Sequence, residues 1–565
     1  MSRPPDTGSA PDNLRAARLS WAERRFSALL LAIACFGLIP LLVFGNSQFL
    51  GHDSWLHLFI ATQDRWVMFA GEWLHDAHPP LFYLLLRVVG SFGHNLLILR
   101  AIGIVSGTAA NVVIGLIAAK IYRHRICALL VAAAYALGWN MIQVNCDVRS
   151  YPLALLFVLL AFDAFLDWNV APGGPLAARA ILRFGAYSVL ALLTEYYAIL
   201  FFAACVGLLL LRALMRPAFR RVLQDSLRAN RKAWLATFAS ISLVFLVLFA
   251  FHMIVLPADQ PYLDAYLWHA SPVFDPFAFL LTNLTREFAP YAPFNLAPDI
   301  MLALVALLVL PAAIYFTFAT GKQPRIIPTA CVTLLPVLMI LQLMVLSLLG
   351  KYPFGGDFRH QSILTPFLFL AAFLLLDRIV DLIKSPVAGN AVFLSAGILV
   401  AASFSFGWSV YPWDSQPPTA TEYKKFRAAF PAAENIYGDA SSTMFFYSLN
   451  SNAKWSFEDR FLANGKRIVV YRLDDGGGHG YRVLRNKADV YLNLTAPETY
   501  VTMAQALRMA GIRSAVLYFV AAGWGAASAR VIEDRMHALA PQAGLDCGSC
   551  TVNPNSAFVR FELVN

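Results

Sequence analysis

The chain has 565 residues, of which 59% are hydrophobic and only 14% are charged, and its formal net charge is +10. This composition lies far outside the averages of soluble globular domains, so it excludes a soluble protein and indicates a polytopic membrane protein. In a membrane-embedded chain the basic excess is mainly a topology signal, and no nucleic-acid partner is expected.

Apolar stretches long enough to cross the hydrocarbon core of a bilayer recur along most of the chain. We predict about eleven transmembrane helices, over residues 27–45, 95–120, 127–145, 151–168, 178–193, 196–213, 234–256, 299–319, 326–349, 361–382 and 388–409. Residues 1–25 are predicted to be an N-terminal tail rather than part of a signal peptide, because no clear cleavage site follows the first apolar stretch.

Basic residues in the short connecting segments orient these spans. Counting crossings places the clusters on one side of the membrane, and an excess of lysine and arginine marks the cytoplasmic side. The clusters are Arg15, Arg18, Arg24 and Arg25; Arg123 and Arg125; Arg212, Arg216, Arg220, Arg221, Arg228, Arg231 and Lys232; Lys322 and Arg325; Arg378 and Lys384. The sequence therefore predicts a multi-pass protein of the inner or plasma membrane with a cytoplasmic N-terminus and an extracytoplasmic C-terminal part.

The polar chemistry of the membrane part falls in the segments predicted to lie outside. Two of these are long, the outer loops 46–94 and 257–298, and three are short turns near residues 146–150, 194–197 and 350–360. Part of the second loop, 274–288, is predicted to form an amphipathic helix that acts either as a lid over a substrate entrance or as a plug over the helix ends. A transporter would instead carry its ionisable groups in the middle of the spans.

The outer segments supply both acids and cations. A base to take a proton, together with cations to hold a phosphate, is what the transfer of a group from a phosphate-linked lipid to a hydroxyl or an amine requires. The residues available as general bases or metal ligands are His52, Asp53, His57, His75, Asp76 and His78, and those that offer positive charge near the bilayer surface are Arg149, Lys351, Arg359 and His360.

Each of these residues also has a structural interpretation. Asp53 is suited to cap the helix that begins near Ser54, and Arg149 to anchor a span end at the membrane interface. The tyrosines suit an interfacial aromatic belt, Pro79 and Pro80 the start of a helix, and Arg359 and His360 a solvated turn. A divalent metal bound by His52, Asp53, Asp76 and His78 remains open, since no ligand spacing defines a site.

Four short motifs in the outer segments resemble those of a known superfamily. They are Asp53 in the first loop, His78-Pro79-Pro80-Leu81-Phe82-Tyr83 before a helix, Asp147-Val148-Arg149-Ser150-Tyr151 and Thr194-Glu195-Tyr196-Tyr197. Over residues 25–410 the chain resembles GT-C-type glycosyltransferases of the bacterial dolichyl-phosphate-mannose-protein mannosyltransferase and lipid A aminoarabinose transferase kind.

The resemblance implies a GT-C-like transmembrane catalytic domain over residues 26–411. It implies a polyprenyl-phosphate sugar donor, inversion at the anomeric carbon and Asp53 as the base, with a glycolipid, lipopolysaccharide, polysaccharide or protein as the acceptor. With these motifs the predicted substrate contacts are His52, Asp76, His78, Arg149, Tyr151, Glu195, Tyr196, Tyr197, Lys351, Arg359 and His360. The chain departs from the pattern at Ser54, where the superfamily often has a second acid that Asp76 could replace, and at Glu195, where histidine is common.

Residues 412–565 change in character, because their apolar runs shorten to strand length. The sequence predicts strands at 467–473, 488–494, 514–520 and 558–564 and helices at 497–511 and 527–540, hence a soluble α/β or α+β domain. Two other functions stay open: a transporter or flippase for a lipid-linked sugar, and a non-catalytic envelope assembly protein that acts through this domain.

Overall fold

The fold is taken from a computed structural model. It describes residues 10–47, 52–74, 76–93, 95–170, 174–254, 280, 283, 326–352, 354, 358–383, 385–410, 435–439, 454–463, 466–474, 480–486, 496–520, 525–553 and 556–564. The predicted span 299–319 and the predicted strand 488–494 lie outside these residues, as does nearly all of the segment 274–288.

Long helices make up the described part of the first 410 residues. They are α1 Ala10–Ser47, α2 His52–Ala61, α3 Trp66–Trp73, α4 Pro80–Gly90, α5 Leu96–Leu99, α6 Ala101–Ile121, α7 Arg125–Leu137, α8 Trp139–Cys146, α9 Tyr151–Val170, α10 Gly174–Thr194, α11 Ala198–Met215, α12 Pro217–Ala229, α13 Arg231–Leu248, α14 Ile326–Leu348, α15 Thr365–Leu382 and α16 Pro386–Val410. A π-helical turn, Phe249–Met253, continues α13.

Eight of the described helices are long and apolar enough to cross a membrane, and α7 with α8 brings the number to nine if that bent pair counts as one span. These nine correspond to predicted spans. The predicted span 361–382 coincides with α15, which carries Asp377, Arg378 and Asp381 in its last two turns. The hydropathy pattern therefore located nearly every described span to within a few residues.

A bend of 56° separates α7 from α8. It lies at Gly138, whose backbone leaves the helical region with φ −60° and ψ 115°. The helix α8 packs closely on α6: a Cβ on Gly103 would overlap the backbone carbonyl of Asn145, and one on Gly107 would overlap the Asn145 side chain. Glycine at these two positions allows the two helices to approach each other closely.

The ends of the spans that carry basic residues meet at one side of the bundle. Arg123, after α6, contacts Asp381 near the end of α15 at 2.8 Å, and Lys120 lies 2.7 Å from Asp163 in α9. Arg212, near the end of α11, donates to Asn169 at 2.8 Å. These contacts agree with the alternation of span directions on which the topology prediction depends.

The predicted outer loop 46–94 contains three helices, α2, α3 and α4. Pro79 lies at the N-cap of α4 and Pro80 at its first position, where the missing N–H and the fixed φ of proline cost nothing. Arg87 in α4 ties this helix to the end of α2 by donating to the carbonyl of Ala61 at 3.0 Å. The three helices therefore form a folded layer over the bundle.

The described strands of the C-terminal part form one sheet of seven strands, numbered β1 to β7 along the chain and arranged in the order β2-β3-β4-β1-β5-β7-β6. β1 pairs in parallel with β4 and β5, and the other neighbours are antiparallel. The strands are β1 Asn435–Asp439, β2 Lys454–Ala463, β3 Lys466–Asp474, β4 Gly480–Asn486, β5 Ser514–Val520, β6 Leu545–Asn553 and β7 Ser556–Leu563, and the helices are α17 Pro497–Met509 and α18 Gly525–Leu539.

The sheet contacts the helical layer through Tyr471 on β3. Its ring packs edge-on against Phe59 of α2, with 5.0 Å between centroids, and its hydroxyl donates to the carboxylate of Glu72 in α3. Tyr471 and Phe59 are fully buried and Glu72 is nearly so. The C-terminal domain thus contacts both α2 and α3 through one buried side chain.

Candidate active site

Asp53, in the first turn of α2, is bound to two arginines from distant parts of the chain. Its Oδ2 atom accepts from Arg149, in the turn between α8 and α9, and lies 2.8 Å from Nη2 of Arg359, in the 3₁₀ turn Phe358–Gln361. The Arg149 side chain is 5% exposed, whereas Arg359 is 27% and Asp53 35% exposed. We call these three residues the Asp53 ion cluster. It joins three of the predicted outer segments and is open to solvent on one side.

His57 fixes the position of Arg149 from within the protein. The Nδ1 atom of His57 lies 3.1 Å from the carbonyl oxygen of Val148, and its Nε2 atom lies 3.4 Å from Nη1 of Arg149. Because a carbonyl only accepts, the proton of the neutral ring is on Nδ1, and Nε2 presents a lone pair to the guanidinium. Burial lowers the pKa of His57 to about 3, helped by the nearby charge of His78, so the ring is neutral.

Asp147 lies on the other side of Arg149. Its Oδ2 atom is 3.9 Å from Nε of Arg149, and its Oδ1 atom accepts from the hydroxyl of Ser54. Ser54 in turn accepts from the backbone N–H of Val148 at 3.3 Å. The residue that follows Asp53 in sequence therefore links α2 to the turn before α9, and it brings a second carboxylate to the ion cluster.

His78 lies between two buried carboxylates on the inner side of the cluster. Its Nδ1 atom is 3.0 Å from Asp76, and its Nε2 atom is 3.5 Å from Glu195. The hydroxyl of Tyr83 also donates to Asp76, and that of Ser150 donates to Glu195. We call His78, Asp76 and Glu195 the His78 triad. It adjoins the Asp53 ion cluster through the ring of His57, whose centroid is 5.0 Å from that of His78.

The charges in the triad follow from these contacts. Burial alone would lower the pKa of His78, but the charge of Glu195 and the hydrogen bond and charge of Asp76 outweigh it and raise the pKa to about 9. Burial works against ionisation of Asp76 as well, yet the hydrogen bond from His78 brings its pKa well below the ordinary value. Burial raises the pKa of Glu195. At neutral pH the triad therefore contains a protonated His78 held by an ionised Asp76.

The tyrosines of the predicted site differ in their surroundings. Tyr151 and Tyr197 are buried and stack on each other, with centroids 5.9 Å apart and rings 6° from parallel. Tyr196 is partly exposed, and its hydroxyl bonds to Nδ1 of His252 in the π-helical turn. Nε2 of His252 lies 3.1 Å from the carbonyl of Trp73, so this histidine connects α13 to the end of α3.

The remaining predicted residues are less closely joined to the cluster. Lys351 is exposed beyond the end of α14. His360 is partly exposed, and its carbonyl accepts from the hydroxyl of Tyr352 at 2.7 Å. His52 begins α2, but its side chain is not among those the structure describes.

A metal could be held by a set of residues that differs from the predicted one. The ligand atoms of His57, Asp76 and His78 lie within 4.8 Å of one another. A metal ligand must be deprotonated, whereas Asp76 and Glu195 favour the protonated form of His78. Arg149 also directs a guanidinium N–H at His57. The hydrogen bonds and charges of this set therefore fit a proton better than a metal ion.

Several residues of the site were not among the sequence candidates. Asp147, Ser150 and Tyr83 contact the candidates directly. Asp147 and Ser150 were recognisable as members of the Asp147–Tyr151 motif, and Tyr83 as the end of the motif that begins at His78. Nothing in the sequence connects His252 with Tyr196, because residues 56 positions apart meet here through packing alone.

No family model matches the sequence, and no curated protein is similar to it by sequence. Among solved structures, ArnT from Cupriavidus metallidurans bound to undecaprenyl phosphate matches with a TM-score of 0.54 and 12% identity, over 94% of this chain and 98% of that chain. Apo ArnT gives 0.54 and 12%, over 96% and 98%. The oligosaccharyltransferase AglB from Archaeoglobus fulgidus gives 0.45 and 11%, over 88% and 70%. The ArnT matches confirm the predicted GT-C-like fold of a polytopic membrane protein with a C-terminal domain.

Proposed function

We propose that this chain is a membrane glycosyltransferase that moves a sugar from a polyprenyl-phosphate donor to an acceptor at the extracytoplasmic face. The observation that carries the proposal is the Asp53 ion cluster, in which a partly exposed carboxylate meets one buried and one partly exposed guanidinium group. ArnT, which has the same fold, was solved with undecaprenyl phosphate bound. A bound lipid phosphate and a base to activate the acceptor are the requirements that this cluster meets.

The proposed transfer is a single displacement. Asp53 accepts the proton of an acceptor hydroxyl or amine, and the acceptor atom bonds to the anomeric carbon. The bond from that carbon to the phosphate oxygen breaks, and the phosphate leaves with the electron pair. Arg149 and Arg359 stabilise the leaving phosphate through charge-assisted hydrogen bonds, so no strong general acid is required.

The His78 triad serves this reaction by positioning rather than by proton transfer. Its contacts join the segment before α4, the turn after α10 and Ser150, which follows Arg149 in the turn before α9. We propose that Glu195 and the adjoining Tyr196 contact the sugar. The acceptor remains one of four classes: glycolipid, lipopolysaccharide, polysaccharide or protein.

We propose that the transfer does not depend on a metal. The expected result is that chelation of divalent cations leaves the transfer rate unchanged, because His78 is protonated and Arg149 occupies the lone pair of His57. A loss of activity on chelation that Mn²⁺ or Zn²⁺ restores would instead assign His57, Asp76 and His78 as ligands.

The topology is part of the same proposal. Residues 26–411 form the catalytic domain, residues 1–25 the cytoplasmic tail and residues 412–565 the extracytoplasmic domain. Labelling of single cysteines in intact cells tests it. A cysteine at exposed Asp64 is expected to react with an impermeant reagent, and one at exposed Arg220 is expected to react only after permeabilisation.

The function is tested with membranes and a radiolabelled polyprenyl-phosphate sugar. Asp53→Asn is expected to abolish transfer, and Arg359→Gln to reduce it at least tenfold, a loss of about 1.4 kcal/mol in transition-state stabilisation. The matched control is Arg183→Gln, since Arg183 is also a partly exposed arginine that pairs with carboxylates, at 3.4 Å from Asp163, but lies far from the cluster. Equal transfer by wild type and Asp53→Asn would remove the catalytic assignment.

The same assay separates the two alternative functions. A flippase would move the labelled lipid between leaflets without forming a glycosylated product, and Asp53→Asn would not change that movement. An assembly protein would bind its partner through the C-terminal domain and transfer nothing.

A further inference from the structure

The proposed base is engaged in the structure by the groups that are proposed to bind the donor. A single oxygen of Asp53, Oδ2, accepts from Arg149 and lies 2.8 Å from Arg359. A carboxylate whose oxygen is held by two guanidinium groups is a weak proton acceptor, because protonation would break both charge-assisted bonds. Asp53 therefore cannot serve both as a partner of the arginines and as an efficient base.

A donor phosphate needs the same N–H groups that Asp53 occupies. A guanidinium presents a planar fork of donors that matches carboxylate and phosphate oxygens in the same way. The donor phosphate is a diester that carries one negative charge, as a carboxylate does, so it can replace the carboxylate on two converging arginines. It gains a second charge and a third terminal oxygen when it leaves as a monoester, so the arginines bind it more strongly as the transfer proceeds.

The surroundings determine which group moves. Arg149 is 5% exposed and is held by His57 and Asp147 on its two other sides. Asp53 is 35% exposed and lies in the first turn of a helix, where its short side chain can rotate toward solvent without disturbing the backbone. Arg359 remains available to follow the incoming phosphate, since it is 27% exposed on a short turn.

We propose that the donor phosphate displaces the Asp53 carboxylate from Arg149 and Arg359, so that the base becomes available only when the donor is bound. The inference rests on the proposed function and adds an order of events to it. The arginines first change partner from Asp53 to the phosphate, and Asp53 then accepts the acceptor's proton. This exchange couples donor binding to activation and keeps the base inactive in the empty site.

If Asp53 competes with the phosphate for the arginines, it lowers the affinity for the phosphate, whereas a residue that acts only as a base does not. The test is therefore a binding measurement. Purified full-length protein in nanodiscs is titrated with farnesyl phosphate and with undecaprenyl phosphate. Asp53→Asn, which keeps the shape and removes the charge, is expected to tighten binding about tenfold, equivalent to about 1.4 kcal/mol. Asp53→Ala serves as a second variant that removes the competing side chain altogether. Both variants are expected to lose transfer.

A control variant and a double variant define which binding results would overturn the exchange. Asp64→Asn removes one charge from an exposed residue of the same outer layer, and its affinity is expected to stay within about twofold of wild type. Adding Arg359→Gln to Asp53→Asn is expected to abolish the gain. Unchanged or weaker binding by both folded Asp53 variants overturns the exchange, because Asp53 then either does not compete or helps to hold the arginines in place.

Inorganic phosphate forms a separate arm of the experiment. The gain in Asp53→Asn is expected with inorganic phosphate too, since the competition concerns the phosphate group and not the lipid. A gain confined to the polyprenyl phosphates would mean that the substitution acts on a lipid contact, and it would overturn the exchange. Wild-type protein that binds no polyprenyl phosphate at all would refute the proposed function itself, a result distinct from binding without a gain.

Discussion

Replacement of His78 by asparagine tests the buried charge that organises the site. The change removes a protonated imidazole that lies 3.0 Å from Asp76 and 3.5 Å from Glu195, and it leaves two buried carboxylates without that cation. Removing one partner of a buried ion pair costs roughly 3–5 kcal/mol. The pKa of His78 gives a similar figure: its rise from 6.5 to about 9 corresponds to about 3 kcal/mol, at about 1.4 kcal/mol for each pKa unit.

The raised pKa of His78 determines whether stability rises or falls with pH. The folded state binds the His78 proton more tightly than the unfolded state, so its contribution is complete below pH 6.5 and disappears as the pH rises through about 9. Thermal unfolding of the detergent-purified protein is followed between pH 6 and pH 10. Wild type is expected to lose stability at the alkaline end, and His78→Asn to start about 3 kcal/mol lower and to lose less over this range.

A double variant tests whether the carboxylates near His78 cause the loss of stability. Asp76→Asn in the His78→Asn background removes one of the two carboxylates left without a cation, and it is expected to recover part of the loss. Wild-type stability that stays constant from pH 6 to pH 10, or a His78→Asn protein as stable as wild type at pH 7, would refute a protonated His78 as the organising charge.

Three further predictions address the surroundings of the site. Tyr471→Phe leaves the carboxylate of Glu72 without its buried donor, so it is expected to cost about 1–3 kcal/mol in thermal unfolding and to lower transfer; unchanged stability would show that the domain contact does not hold α2. His57→Phe keeps a ring but removes the acceptor for the neighbouring guanidinium, so steady-state kinetics are expected to show about a tenfold higher donor KM with a smaller change in kcat; a change in kcat alone would contradict this positioning role. Gly103→Ala is expected to destabilise by about 1–3 kcal/mol by thermal unfolding, whereas the matched control Gly71→Ala, in a helix with nothing within 4 Å of the added Cβ, is expected to be neutral or slightly stabilising; equal effects would argue against close packing of α6 on α8.

Hydropathy was enough to place the spans, because each must present about 20 apolar residues to the lipid whatever its neighbours are. The described helix α9, Tyr151–Val170, begins at the predicted residue and ends two residues beyond the predicted end. The bend at Gly138 and the break at Arg100 inside predicted spans were not predictable, since both depend on packing between helices.

The C-terminal sheet was only partly predicted. The apolar runs gave β3, β5 and β7 to within two residues, but β1, β2, β4 and β6 were not predicted. β4 is the clearest case: the sequence Gly480–Asn486 has a glycine at its start and two arginines, and it forms a strand because β1 and β3 pair with it on both sides. Such strands are defined by their partners and have little hydrophobic pattern of their own.

The sequence identified candidate residues of the site, and the structure shows which of them contact each other. We predicted that an acid of the first outer segment lies near the arginines of later turns. Asp53, Arg149 and Arg359 do lie in contact. The contact of His78 with Glu195 was not predicted, because it arises where the segment before α4 packs against the turn after α10. Sequence order carries no information about such contacts.

The Asp53 ion cluster has a consequence for how the chain is made. Asp53 is translated early, Arg149 follows after two further spans, and Arg359 comes last, just before α15. Until that turn has been translated, the Asp53 ion cluster lacks one of its two guanidinium groups. The ribosome must therefore pass residue 359, close to the end of the membrane domain, before the cluster can assemble, and a chain that stops short of it is expected to hold Asp53 and Arg149 without their third partner.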